Sequence, residues 1–376
     1  AIEWSKSSGN VDLGLKVAAS MGRFWLVRGF VAEGIAALRD ALSRAPSGLA
    51  GDRAKALNWA GNLAIMAGDV EGGRAWHEES LRIRRETGDL PGIAASLHNL
   101  GGIAADQGDF ALADRLFEEC TAIATEIGDD LRLGMALVNR GRAANERGAY
   151  SQAFDLLEHG IELLEQCGHT YAVCVGLLCI ADAQMCSGDI DRAEVSFNRC
   201  FALASEMGER MASGFCLCGL GSIARYRGTL GPARENCDRA VAIARELGAE
   251  DLRATGLAIL GEVAMLEGKL DDANRLMRQA LRIRSGRNLR SGIALSLEGL
   301  AHVSLAAGRH ERAARFLGAA AALRSQIGVP VPAIDLAAIK DATSRIRVAL
   351  GDEAFVSAHT TGAALPLNDL RADIID

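Results

Sequence analysis

The feature that most constrains this chain is a glycine series that returns every 40 residues. Sequence periods of 20–50 residues are typical of proteins built from stacked structural repeats. The members of the first series are Gly68, Gly108, Gly148, Gly188, Gly228, Gly268 and Gly308. A second series lies 20 residues further along, at Gly88, Gly128, Gly168, Gly208, Gly248 and Gly328, with Asn288 in its one gap.

Glycine at such intervals predicts helix ends. It adopts the left-handed conformation that closes a helix, where a Cβ atom is penalised. Asp69 and Asp189 follow two of these glycines, and their side chains can cap the next helix. Between glycines the apolar residues recur at intervals of three and four residues or their sum, as at Leu112, Leu116 and Ile123. This spacing favours amphipathic helices. Each repeat is therefore predicted to be two antiparallel helices of about 16 residues.

Several columns inside the repeat resemble the tetratricopeptide repeat. In one copy the matching residues are Leu97, Leu100, Gly101, Ala104, Ala113, Phe117 and Cys120. The period of 40 exceeds the usual 34, and it is similar to the lengthened repeat of bacterial regulatory ATPases of the maltose-activator type. The resemblance implies an all-α fold: a right-handed superhelical solenoid of antiparallel helix pairs, with about eight repeats plus C-terminal capping helices.

The two ends carry a narrower resemblance. The segments Ala1-Ile2-Glu3-Trp4 and Arg23–Gly29 look like the region after the nucleotide-binding module of large LuxR/STAND-type ATPase transcriptional regulators. Arg315–Ala320, Gly328-Val329-Pro330 and Leu350–Phe355 resemble their closing segment. This implies covalently attached ATPase and/or DNA-binding modules in a longer protein.

The predicted domain organisation follows from these patterns. Residues 1–48 form an atypical initial helix pair, and residues 49–331 form seven repeats of 40 residues. Residues 332–366 form capping helices, because Val329-Pro330-Val331-Pro332 stops the last repeat helix. Residues 367–376 are predicted to be a flexible tail.

Composition excludes several classes of function. The formal net charge of −7 argues against direct nucleic-acid binding. Nine cysteines without metal-ligand spacing favour reduced thiols and a cytoplasmic location. We expect no membrane partner, since no apolar run approaches the roughly 20 residues of a membrane helix.

The chemistry-bearing motifs of common enzymes are missing. Gly268-Lys269 lacks the rest of a phosphate loop, and Cys216 with Cys218 has no second pair to complete a zinc site. We therefore predict a non-catalytic chain with no cofactor and no metal. A loose acid–base or nucleophile set of Glu146, Asp182 and Cys186 is the enzymatic alternative.

Two basic stretches stand out within a chain that is acidic overall. They lie late in second helices, where cations complement the helix end. We expect a solvated face there, with a phosphate or partner contact as the alternative. The residues are Arg82, Arg84, Arg85, Arg282, Arg284, Arg287 and Arg290.

The resemblance places binding on the inner face, which the first helix of each pair lines. We predict a ligand- or partner-binding groove for a peptide, protein or small-molecule effector. Its residues are His98, Asn99, Asn139, Arg142, Asn145, Glu146, Cys179, Asp182, Met185, Phe215, Ser222, Arg225 and Tyr226. The apolar members can instead be core, and Arg142 and Asp182 can instead form internal salt bridges.

Two functions remain open on these grounds. The first is a non-catalytic sensor or scaffold domain of a bacterial signal-transduction transcriptional regulator, in which ligand binding biases the attached modules. The second is a structural self-assembly or intramolecular regulatory module with no ligand of its own.

Overall fold

The computed structural model describes residues 10–45 and 48–365, and this part of the chain is helical and without strands. The predicted tail at 367–376 and the motif at residues 1–4 lie outside it. The helices, numbered here in chain order, are α1 Val11–Arg28, α2 Val31–Arg44, α3 Ala50–Met66, α4 Val70–Thr87, α5 Leu90–Asp106, α6 Phe110–Ile127, α7 Asp130–Glu146, α8 Tyr150–Gln166, α9 Thr170–Ser187, α10 Ile190–Glu206, α11 Arg210–Tyr226, α12 Leu230–Leu247, α13 Glu250–Leu266, α14 Leu270–Gly286, α15 Arg290–Ala306, α16 His310–Ile327, α17 Leu336–Leu350 and α18 Asp352–Ala364. Eight successive helix pairs followed by two further helices confirm the predicted fold class.

The helix ends adopt the conformation that the glycine series predicts. Both series have positive φ, for example +88° at Gly68 and +67° at Gly328. Asn288 fills the gap with φ +55°, and it is the one non-glycine residue with positive φ in the described chain. Asparagine is among the few residues that tolerate this conformation. Asp69 caps α4, accepting a hydrogen bond from the Gly72 N–H at 2.9 Å.

Small residues at fixed positions of the repeat allow the two helices of a pair to approach closely. A Cβ atom on Gly101 in α5 would lie 2.7 Å from the Phe117 ring of α6, and Phe117 is fully buried. Gly61 and His77 have the same relation in the preceding pair. The backbone of one helix therefore packs on a large side chain of the other.

The chain divides into two compact units. Among the described residues, unit 1 comprises those up to Ala105 and Ala111–Ala136, and unit 2 comprises Asp106–Phe110 and those from Leu137 onward. Unit 1 has a core over α1, α2 and α3 that includes Leu15, Leu38 and Leu63.

One helix of unit 2, Thr170–Ser187, is long and apolar enough to cross a membrane by length and composition. More than half of this helix is buried inside the protein. It packs against α8, α10 and α11. Its apolar character is accounted for by this burial within the repeat array.

Two of the arginines expected on a solvated face are buried instead. Arg84 donates to the Gly92 carbonyl at 2.6 Å and to the Ser96 hydroxyl at 3.0 Å. Arg284 repeats the pattern in unit 2, with the Gly292 carbonyl at 3.1 Å and the Ser296 hydroxyl at 2.7 Å. Each guanidinium therefore ties a second helix to the first helix of the next pair. The expectation of a solvated face was wrong for these two positions because the helix ends are covered by the following repeat.

Four of the other arginines, Arg82, Arg85, Arg282 and Arg287, are exposed as expected, whereas Arg290 is half-buried. Arg82 bonds Glu79 at 2.8 Å on an exposed surface. Arg85 bonds Glu119 at 2.6 Å, and Arg287 lies 2.7 Å from Asp251. Solvent-exposed ion pairs of this kind contribute little to stability.

The array ends in a segment that returns across unit 2. Gly328 closes α16, and residues 328–335, here called the crossing segment, run to the start of α17. Arg324 anchors its beginning by donating to the Pro330 carbonyl at 2.8 Å. The same guanidinium forms a buried bidentate pair with Glu298, at 2.6 and 2.9 Å.

This pair leads to a stability prediction. Arg324→Met should lower the free energy of unfolding by about 3–5 kcal/mol, because it leaves the Glu298 carboxylate buried without its partner. Urea-induced unfolding followed by circular dichroism measures the change.

The matched control is Arg275→Met, which removes an exposed partner of Asp272 at 2.8 Å. Its loss should be below about 1 kcal/mol. Equal losses in the two variants would contradict a structural role for the buried pair.

Candidate functional site

The first helices of the pairs in unit 2 form an inner face, and the crossing segment lies against it. Tyr150 Oη accepts a hydrogen bond from the Ala333 N–H at 3.2 Å. The Ile334 N–H donates to the Cys186 carbonyl at 3.2 Å, and Tyr226 Oη donates to the Asp335 carboxylate. Two groups of the first helices, the Cys186 carbonyl and Tyr226, and one side chain of a second helix, Tyr150, therefore hold this irregular segment.

Prolines explain why this segment is not helical. Pro330 and Pro332 cannot extend α16 and lack the N–H group that a helix needs. Pro330 packs on the turn at Gly148, where an added Cβ atom would lie 2.8 Å from the proline ring. The sequence therefore supplies an apolar, non-helical stretch with few donors to satisfy.

A pocket opens beside the crossing segment, with a volume of about 160 Å³. One side is polar and the other is apolar. The lining residues are Asn145, Glu146, Tyr150, Asp182, Cys186, Ser291, Leu295, Arg324, Val329, Pro330 and Pro332.

The polar side carries two carboxylates. Asp182 lines the pocket and keeps part of its surface exposed. The protein atoms around its carboxylate reduce its hydration, and this loss of hydration, together with the Glu146 charge, raises its pKa to about 6. Asn145 opposes the shift by donating from Nδ2 to Asp182 at 2.9 Å. Glu146 accepts from the Ser291 hydroxyl at 3.0 Å.

Five further predicted groove residues lie elsewhere on unit 2. Arg142 lies 3.6 Å from Asp106, so its ion pair is with Asp106 and not with Asp182. Met185 is buried, and Phe215 packs against the core around Leu217. Asn139 and Ser222 are half-buried.

Two more predicted residues form a pair at the crossing segment. Arg225 bonds Glu262 at 2.7 Å, and its guanidinium lies 3.7 Å from the centroid of the Tyr226 ring. These contacts orient Tyr226 toward Asp335.

Of the other predicted groove residues, Cys179 on α9 is half-buried, and the last two belong to unit 1. His98 makes an edge contact with Phe117, with ring centroids 5.8 Å apart. Asn99 donates to Asn58 at 3.1 Å. The amide of Asn99 is thus already engaged with the preceding repeat, 41 residues earlier in the chain.

Sequence reasoning missed Tyr150, Ser291, Arg324 and the crossing segment. Tyr150 and Arg324 lie on second helices, which the repeat pattern assigns to the outer layer. Ser291 faces Glu146 across 145 residues of sequence. The Val-Pro-Val-Pro motif signalled a helix stop, but no signal gives the direction in which the chain leaves that helix.

The two cysteines among the inner-face candidates, Cys179 and Cys186, lack the features of an activated nucleophile. All nine cysteines are free. Burial raises the pKa of Cys179 to about 11, and burial beside Asp182 and Glu146 raises the pKa of Cys186 well above its ordinary value. A nucleophilic thiol needs the opposite shift. Within the described residues no group of three acidic, cysteine or histidine side chains could hold a metal ion.

Comparison with known proteins agrees with this architecture. The tetratricopeptide repeat family model matches residues 52–126 and 93–166. No curated protein matches the chain in sequence.

Several solved structures share the fold at low sequence identity. A Rap protein complexed with Competence and Sporulation Factor is 12% identical with a TM-score of 0.64, covering 98% of each chain. The apo form of RapI is 15% identical with a TM-score of 0.61, covering 72% of this chain and 97% of its own. The apo form of the quorum sensor NprR from B. thuringiensis is 12% identical with a TM-score of 0.56, covering 99% of each.

The paired carboxylates give a prediction on pH. Asp182 should titrate near pH 6, and Glu146→Gln should lower its pKa, because a neutral amide no longer opposes ionisation of the neighbouring carboxyl. Carboxyl-carbon NMR measures the midpoint, and the resonance missing in Asp182→Asn identifies the signal.

The matched control is Glu235→Gln, which changes an exposed glutamate on α12 and should leave the midpoint unchanged. A midpoint at the ordinary value near 3.8 in the unaltered protein would contradict the described arrangement.

Proposed function

We propose that this chain is a peptide- or protein-binding sensor or scaffold domain of a bacterial signal-transduction transcriptional regulator. Its binding site is the inner face of unit 2, with Asn139, Arg142 and Asp182 among its contacts. The ligand is a peptide, protein or small-molecule effector. The chain itself is non-catalytic and cytoplasmic in this proposal, in line with its nine free cysteines.

The observation that carries the proposal is the crossing segment. Groups around the inner face already bond this proline-containing segment: Tyr150 Oη and the Cys186 carbonyl accept from its backbone, and Tyr226 donates to the Asp335 side chain. Groups that bond the irregular backbone of one segment offer the same hydrogen bonds to a peptide ligand. A pocket lies directly beside that segment.

The similar structures support the same class of ligand. One is named as a complex with Competence and Sporulation Factor, and another is named as a quorum sensor. In our proposal, ligand binding to one arrangement of the repeats shifts the balance of attached ATPase and/or DNA-binding modules. Such a shift needs a different ligand affinity in the two arrangements.

A second candidate has its own observation. A structural or intramolecular regulatory module with no ligand would use the crossing segment as the permanent occupant of the inner face. The buried anchor of Arg324 on Glu298 and Pro330 favours a firmly held segment.

The two candidates differ in peptide binding. A pooled library of random hexapeptides should be enriched by the unaltered protein, with affinity selection read by mass spectrometry. Enrichment should fall at least about tenfold in the triple variant Asn139→Ala, Arg142→Ala, Asp182→Ala, since three polar contacts of about 0.5–1.5 kcal/mol each sum to more than the roughly 1.4 kcal/mol that corresponds to tenfold.

The control triple changes the same residue types on exposed surfaces of second helices: Asn198→Ala, Asp238→Ala and Arg239→Ala. It should retain the enrichment. Absence of any enrichment, or equal loss in both triples, would favour the ligand-free alternative.

A further inference from the structure

One buried histidine of unit 1 makes no hydrogen bond. His77 on α4 is 0% exposed, and neither Nδ1 nor Nε2 has a partner in the described chain. A neutral imidazole carries one N–H donor and one acceptor nitrogen, and an imidazolium carries two donors. Because buried polar groups without partners are costly, this site accepts the ring only in its uncharged form.

The repeat pattern shows that this position suits an apolar side chain. In its own pair, His77 packs on Gly61 of α3, where an added Cβ atom would lie 2.6 Å from Nε2. The ring therefore lies directly on the backbone of α3. The residues at 40-residue intervals after His77 are all buried, and they are Phe117, Leu157, Phe197, Cys237, Met277 and Leu317.

The nearest charge acts against protonation of the ring. Burial, and after it the positive charge of Arg84, lower the pKa of His77 from its ordinary value of 6.5 to about 4. The Arg84 guanidinium is held in place by α5, through the Gly92 carbonyl and the Ser96 hydroxyl. It therefore cannot withdraw when the ring takes up a proton.

The helices around α4 place their other charged groups away from the ring. Asp52, Arg53 and Lys55 precede Gly61 on α3 by six to nine residues, which is about 9–14 Å along the helix at about 1.5 Å per residue. Groups on α2, α5 and α6 are engaged elsewhere: Arg39 with Trp76, His98 with Phe117, and Glu119 with Arg85.

We propose that His77 makes unit 1 acid-sensitive: protonation of its ring at mildly acidic pH favours an open form in which α4 has moved away from Gly61 of α3. In the open form the ring reaches water, which accepts from both N–H groups. The proton comes from the solvent and must be lost again before α4 closes on α3. This inference concerns unit 1 alone and does not rely on the proposed binding in unit 2.

Linkage gives the direction and the size of the effect. The exposed ring has a pKa of 6.5 and the closed ring a pKa of about 4, so the open form takes up the proton first. Closure is therefore favoured above pH 6.5 and weakens as pH falls from 6.5 towards 4. Between pH 7.5 and pH 5.0 the ratio of open to closed forms should rise about 30-fold.

Hydrogen exchange followed by mass spectrometry measures this opening. The whole chain is exchanged at pH 7.5 and at pH 5.0, and observed rates in peptides of α3 and α4 are divided by the intrinsic rates at each pH. The resulting protection factors should fall about 30-fold at pH 5.0 in the unaltered protein. In His77→Leu, which introduces the side chain type of Leu157 and Leu317, they should change less than about threefold.

Two further variants complete the test. His159→Leu changes an exposed histidine on α8 and should keep the full pH response. His77→Phe, which follows Phe117 and Phe197, replaces His77→Leu if circular dichroism shows that the latter folds poorly. NMR titration of the histidine rings in the unaltered protein is a second readout, in which the His77 ring should still be neutral at pH 5.0.

Three results would overturn the inference. The first is an equal fall in protection in the unaltered protein and in a folded His77 variant. The second is protection in α3 and α4 that does not change with pH in the unaltered protein. The third is a His77 ring that titrates near its ordinary value of 6.5, which would mean that the closed form accepts the charge.

Discussion

The left-handed residue that closes each helix from α3 to α16 is the constraint on which the rest of the structure depends. It turns the chain back after each of these helices, and the short connections then leave successive helices side by side. Small residues such as Gly101 and Ala113 let those helices approach. The glycine after α9, at φ +94°, and the asparagine after α14, at φ +55°, both reverse the chain in this way. These turns set the distance between successive helices and therefore the positions of the side chains on the inner face.

The fold could be predicted from the sequence because its determinants are local and repeated. Glycines at 40-residue spacing and the apolar columns specify one helix pair, and the copies reinforce the inference. The burial of Arg84 and Arg284 was not predicted, although the sequence contains a signal for it. Both have a serine twelve residues later, at Ser96 and Ser296, whereas repeats with a small or apolar residue in the arginine column lack that serine.

The candidate site was predicted less completely because its contacts cross long stretches of sequence. The repeat pattern placed Asn145, Glu146 and Asp182 on the inner face, and these three side chains meet at one pocket. It could not show that Ser291 lies opposite Glu146 or that Tyr150 accepts from Ala333. A repeat pattern describes neighbours one or two helices apart, and those partners are separated by several repeats.

The crossing segment gives unit 2 a topology that a simple linear array lacks. In such an array each module contacts only its neighbours, and the ends can fray independently. Here hydrogen bonds join residues 183 and 109 positions apart, so the crossing segment is attached to repeats in the middle of the array. The repeats between the two attached points lie within a closed loop of the chain. Inserting or deleting one of these repeats would move the attached residues apart, which restricts how the number of repeats can change during evolution.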